Sequence, residues 1–108
     1  MIELTKENCD VEIKESALPV VVDFWGPACG PCMALMPSFM EFASKPEYEG
    51  KVKFCKVDTS QNKRVAVSFK VMGIPTLLFW KGGRETARLS GHDATIENIK
   101  SKTDELLK

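Results

Sequence analysis

The run Val20-Val21-Val22-Asp23-Phe24-Trp25 leads without a break into Gly26-Pro27-Ala28-Cys29-Gly30-Pro31-Cys32, and this junction constrains the fold most. Apart from one acid, the first segment is apolar and β-rich, the pattern of a strand buried on both faces. The glycines and prolines after it predict a turn, with Gly30-Pro31 leading into a helix. Two thiols two residues apart can close a small disulfide ring or open to a dithiol. With Cys29 at the helix's amino end, free N–H groups and the helix dipole favour its thiolate. Only the thiolate attacks a disulfide.

Elsewhere the chain reads as alternating strands and helices. Ile2 to Leu4 is a short edge strand, and Thr5 is the expected N-cap of a helix placing Cys9, Ile13 and Ala17 on one face. Beyond the cysteines, Cys32, Met36, Phe39, Met40 and Ala43 recur at helical spacing, with Pro37 expected to kink the helix. The five methionines largely fit such core spacing. Pro46 to Gly50 is a turn and Val52 to Val57 a second buried strand; Thr59 or Ser60 is expected to cap a short helix through Phe69. Thr76–Trp80 and Arg84–Leu89 are strands joined at Lys81-Gly82-Gly83, a hairpin signal. Asp93 is the expected cap of a last helix with Ile96, Ile99, Thr103 and Leu106 inward. This order, β-α-β-α-β-α-β-β-α, implies an α/β fold with a mixed central sheet and helices on both faces. With no repeat, linker or low-complexity tract, residues 1–108 are expected to form a single domain.

Charge and cysteine usage narrow the function. Fifteen basic and fifteen acidic side chains cancel, which gives no case for nucleic acid or an anionic membrane. The apolar stretches are too short to span a bilayer, and Met1 to Lys6 lacks the pattern of a signal peptide, so a cytoplasmic location is expected. Of four cysteines, only Cys29 and Cys32 have motif spacing; Cys9 and Cys55 lie in apolar periodic surroundings and are expected in the core. In a reducing compartment a lone C-x-x-C is redox-active or metal-binding. One such pair and a single distant histidine, His92, fall short of a four-ligand zinc site, so no metal or cofactor is expected, although a site shared across a dimer stays open.

Asp23, Trp25, Cys29-Gly30-Pro31-Cys32, Pro37, Lys56, Gly73-Ile74-Pro75-Thr76, Gly82-Gly83 and Gly91 together resemble the thioredoxin family across essentially the whole chain. The resemblance implies a thioredoxin fold, a central mixed sheet of about five strands flanked by four helices. It implies that Cys29 is the exposed nucleophile and Cys32 the buried resolving thiol of a protein-disulfide reductase. Asp23 is then the candidate proton acceptor for Cys32, because a carboxylate removed from water has a raised pKa. Lys56 would tune that acid's charge. The alternatives are a solvent-exposed strand-end acid and a solvated strand lysine. Ile74-Pro75 resembles the family's cis-proline loop facing the cysteines, where an extended substrate can add as a strand. Trp25, Ala28, Gly30, Pro31, Met72, Gly73, Ile74 and Gly91 would form the skin that meets substrate. The implied partners are disulfide-containing proteins and a thioredoxin reductase, with the chain a monomer.

Two positions depart from the family pattern. Ala28 stands where a tryptophan usually precedes the first cysteine, and Met33 where a basic residue commonly follows the second. Losing the indole removes contact surface, and losing the cation removes support for the thiolate; neither change touches the sulfurs. Two other functions remain to be weighed: a binding module with a structural or metal-holding cysteine pair, and a disulfide oxidase or isomerase of an oxidising compartment.

Overall fold

Strands β1 (Ile2–Glu3), β2 (Val20–Trp25), β3 (Lys53–Asp58), β4 (Thr76–Lys81) and β5 (Arg84–Ser90) form one sheet ordered β1-β3-β2-β4-β5. In the computed structural model, which describes residues 1–108, β3 pairs in parallel with β1 and β2. On the other side β4 runs antiparallel to β2, and β5 antiparallel to β4. Four helices complete the expected α/β fold: α1 (Cys9–Lys14), α2 (Gly30–Ala43), α3 (Lys63–Ser68) and α4 (Ile96–Leu106).

The apolar composition of β2 follows from its central place. Val20, Val22 and Phe24 pack with Cys9 and Ile13 of α1 and Val65 of α3. Val21 points the other way, into a cluster with Phe39 and Phe42 of α2 and Ile99 and Leu106 of α4. A strand covered on both faces has no solvent side for polar residues, and fully burying a side chain of this size contributes about 1.5–3 kcal/mol. Asp23 is the one charged residue among those buried. The β4–β5 turn uses Gly82 and Gly83 at φ +61° and +79°, conformations that side chains with a Cβ disfavour.

Local capping differs from expectation at three helix starts. Cys9 opens α1, with Asn8 at the N-cap; the Asn8 side chain turns back to accept from the Thr5 N–H at 2.7 Å. Thr5 begins a preceding turn, its hydroxyl accepting from the Glu7 N–H, and Ala17 is exposed beyond the end of α1. Asn62, not Thr59 or Ser60, precedes α3. The Thr59 hydroxyl donates to the Trp25 carbonyl at 3.0 Å, while Ser60 donates through both N–H and hydroxyl to Asp58. At α4 the cap is Thr95, whose hydroxyl accepts from the Asn98 N–H at 3.2 Å, and Asp93 lies in the turn before it. Each expected cap is a residue type that also closes turns, and short turns before the helices took them.

The methionines also depart from the reading. Helix α2 runs through Pro37 and buries Cys32, Phe39 and Phe42, with Leu35 packed against the same cluster. Met36 lies at the margin of that stripe, whereas Met1, Met33, Met40 and Met72 are exposed. Spacings of three and four fit two neighbouring stripes of a helix, and the larger aromatic residues took the inner one. Cys9 and Cys55 are buried free thiols, in line with their core reading.

Candidate active site

The sheet brings the ends of β2 and β3 together, since Trp25 is in register with Asp58. Both strands are parallel there, so the segments that follow them emerge side by side. After β2 comes the cysteine turn, and Cys29 is the N-cap of α2 in an extended conformation, φ −94° and ψ 106°. Its sulfur accepts from the Cys32 N–H at 3.2 Å, so a helix-end donor is aimed at it. Pro31 falls within the first turn of α2, where its missing N–H costs the helix nothing. Cys29 and Cys32 are joined as a disulfide, with their Cα atoms 5.2 Å apart. The outer sulfur belongs to half-buried Cys29, while Cys32 is 1% exposed. Gly30 and Ala28 lie at the surface, and a Cβ at Gly30 would meet nothing within 4 Å.

Asp23 is buried, and neither carboxylate oxygen has a hydrogen-bond partner. Burial pushes its pKa up to about 7, and the charge of Lys56 pulls against that rise. This removes the alternative of a solvent-exposed acid. Lys56 is its cross-strand neighbour, in register on β3, half-buried rather than fully solvated. The Lys56 ammonium sits 3.3 Å from Glu3 Oε1 and 5.7 Å from the centre of the Trp25 ring. Trp25 closes β2, with its indole N–H buried and without an acceptor.

The Ile74–Pro75 peptide is cis. Pro75 is buried at the head of β4, Ile74 half-buried, and Met72 and Gly73 exposed. The Pro75 carbonyl accepts from the Gly91 N–H at 3.0 Å, which ties this loop to the turn after β5. Gly91 has φ +61°, and His92 beside it is exposed. Ile74 and Cys29 share a groove of about 520 Å³ whose floor and walls also include Ala28, Thr59, Lys63 and Ala66. Gly26 lies beneath it; a Cβ there would come within 3.1 Å of Ile74 Cδ1.

The α3 side of this groove, Thr59, Ser60, Lys63 and Ala66, was not anticipated from the sequence. The signal was indirect: sites in α/β sheets gather beyond the carboxyl ends of parallel strands, which here includes the residues after Asp58. No group of three or more histidine, cysteine or acidic side chains is placed to hold a metal. No helix is long and apolar enough to cross a membrane.

A half-buried cysteine at a helix tip, disulfide-bonded to a fully buried one, with an unpaired buried acid on the strand that leads into that helix, is an arrangement for thiol–disulfide exchange. Comparison with known proteins agrees. The family model described as Thioredoxin matches residues 1–105. The chain belongs to the thioredoxin family. Among curated relatives, a thioredoxin of Peptoclostridium acidaminophilum is 42% identical over 92% of this chain and 88% of its own length. A thioredoxin of Acetoanaerobium sticklandii is 38% identical over 94% of each chain. Thioredoxin 1 of a Nostoc species is 40% identical over 82% of this chain and 81% of its own. The protein is therefore a thiol–disulfide oxidoreductase that acts on protein disulfides through Cys29 and Cys32.

Proposed function

We propose that Cys29 is the attacking thiol and Cys32 the resolving one, and that a thioredoxin reductase restores the dithiol. The observation that carries this is the exposure difference between two bonded sulfurs at one helix end. The Cys29 thiolate attacks one sulfur of a target disulfide, forming a mixed disulfide and releasing the other target sulfur as a thiolate, which takes a proton. Cys32 gives its proton to the Asp23 carboxylate and attacks the Cys29 sulfur. The second target sulfur leaves as a thiolate, and the Cys29–Cys32 disulfide remains. The target has gained two electrons and the protein has lost two. The acid that serves here must be able to change protonation near neutral pH, and buried Asp23 meets that need. Lys56 moderates its charge.

Trp25, Ala28, Gly30, Pro31, Gly73, Ile74, cis-Pro75 and Gly91 form the surface that receives the target. Small residues and exposed backbone let an extended segment lie close to Cys29. Residues 1–108 act as one domain, a reading supported by the sheet drawing strands from Ile2 to Ser90. The chain works as a monomer, without a nucleic-acid partner, in the cytoplasm; its balanced charge and two unpaired buried thiols agree with that setting.

Wild-type protein is expected to catalyse dithiothreitol-driven insulin reduction and to be re-reduced by a thioredoxin reductase. A protein inert in both assays, or one purified anaerobically with stoichiometric metal, overturns the reading. Ala28→Trp adds an indole at the mouth of the groove beside Cys29. It is expected to change kcat/KM with the reductase by roughly fivefold or more while leaving the dithiothreitol-driven rate within about twofold, as a contact worth about 1 kcal/mol predicts. Equal effects in the two assays would refute a docking role for position 28.

A further inference from the structure

One row of side chains crosses the whole sheet at the level of Asp23. Register pairs Glu3 with Lys56, Lys56 with Asp23, Asp23 with Leu77, and Leu77 with Leu89. The charged half of the row runs inward from the sheet's edge. The Glu3 side chain is 68% exposed and that of Lys56 21%, whereas Asp23 is 1% exposed. A single cation thus stands between two carboxyl groups, one wet and one dry.

The cation is held by the wet one. Lys56 Nζ lies 3.3 Å from Glu3 Oε1 and over the Trp25 ring, and no hydrogen bond joins it to either Asp23 oxygen. We propose that Glu3 is a positioning residue: by holding and part-neutralising the Lys56 ammonium, it sets the pH range in which Asp23 can take up a proton. The pairing keeps Asp23 from becoming half of a buried ion pair, which would be a poor base near neutrality. The inference rests, for its catalytic consequence, on Asp23 accepting the Cys32 proton.

The other neighbours leave this role to Glu3 and Lys56. From β4, Asp23 meets Leu77. The ionisable groups of α2 are Cys32, with Cys29 at its cap, and Glu41, exposed toward its far end. On α4, Lys100 is paired with Asp104 and Lys102 with Glu105, and Glu97 is exposed. Asp58, two residues beyond Lys56, accepts from Ser60. Arg88 of β5 is paired with Glu85 and donates to the carbonyls of Phe69 and Lys70. Lys56 is the charge that pulls against the effect of burial at Asp23. Removing Glu3 unshields that charge and frees it to move toward the acid, which favours the carboxylate.

The test is a carbon-13 carboxyl titration of Asp23 in the oxidised protein, run on wild type, Glu3→Gln, Lys56→Met and the double variant. Glu3→Gln is expected to lower the midpoint by about one pH unit, and Lys56→Met to raise it by about as much. In the Lys56→Met background, Glu3→Gln is expected to move nothing. A midpoint unmoved or raised in Glu3→Gln overturns the proposal. So does an equal downward shift without Lys56, because Glu3 then acts by its own field. The pH profile of insulin reduction, measured in parallel, is expected to move with the midpoint. If the midpoint moves and the profile does not, Glu3 sets Asp23's titration as proposed, and it is the assignment of Asp23 as the base that fails.

Discussion

Cys29→Ser is expected to lose insulin reduction by roughly three orders of magnitude or more, whereas Cys32→Ser is expected to retain the first chemical step and lose the second. Serine keeps the shape of the helix cap but not the chemistry. Its hydroxyl does not ionise near neutral pH, so the N–H groups at the tip of α2 have no thiolate to stabilise. Access sets which sulfur comes first. A target can reach half-buried Cys29, while Cys32 is shut beneath it. Without Cys32, the bond between Cys29 and its target has no internal attacker. A mixed disulfide with one target per chain is expected on a non-reducing gel and by intact mass, released only by added thiol. Wild-type turnover in Cys29→Ser, or target adducts formed by that variant and not by Cys32→Ser, would reverse or remove the assigned roles.

Asp23→Asn is expected to stabilise the oxidised protein at pH 8 by up to about 4 kcal/mol, the equivalent of roughly three pKa units. The acid is fully buried, and its pKa rises from 3.8 to about 7. Between those values the folded protein keeps a proton that the unfolded chain has released. Wild-type stability therefore falls as pH rises from about 4 to about 7, and above that the whole penalty of an ionised buried carboxylate is present. Asparagine matches the neutral acid in shape and cannot ionise, so it removes the pH-dependent part alone. Urea unfolding from pH 4 to pH 8 measures it. Parallel pH dependences for the two proteins over that range would show that Asp23 titrates normally. On the proposed role of Asp23 as proton acceptor for Cys32, the same substitution is expected to slow resolution of the mixed disulfide. Stability given up at this residue is then the counterpart of that proposed role.

Much of the fold and of the site is legible in the amino-acid sequence. Strand β2 and the turn after it have strong local signals: β-branched residues, then glycine, proline and two spaced cysteines. The element order from β1 to α4, the Gly82-Gly83 hairpin and the inner face of α4 also follow from periodicity and turn chemistry. Helix caps read less well, because Thr, Ser and Asp serve turns and caps alike; Thr95 prevailed over Asp93, and Asn8 over Thr5. The inner face of α2 depended on Phe39 and Phe42 outcompeting methionine for the core, which spacing alone does not decide.

Chain order and local chemistry thus determined the redox pair, the helix it begins, and the class of fold around it. What the tertiary structure alone decided is everything that depends on which strands lie side by side. Pairing of β2 with β3 set Lys56 beside Asp23, and pairing of β3 with β1 set Glu3 beside Lys56, although these residues are far apart along the chain. The same pairing brought Thr59 and α3 against Cys29. Register arises from packing both faces of the sheet at once, and no local run of residues carries that information.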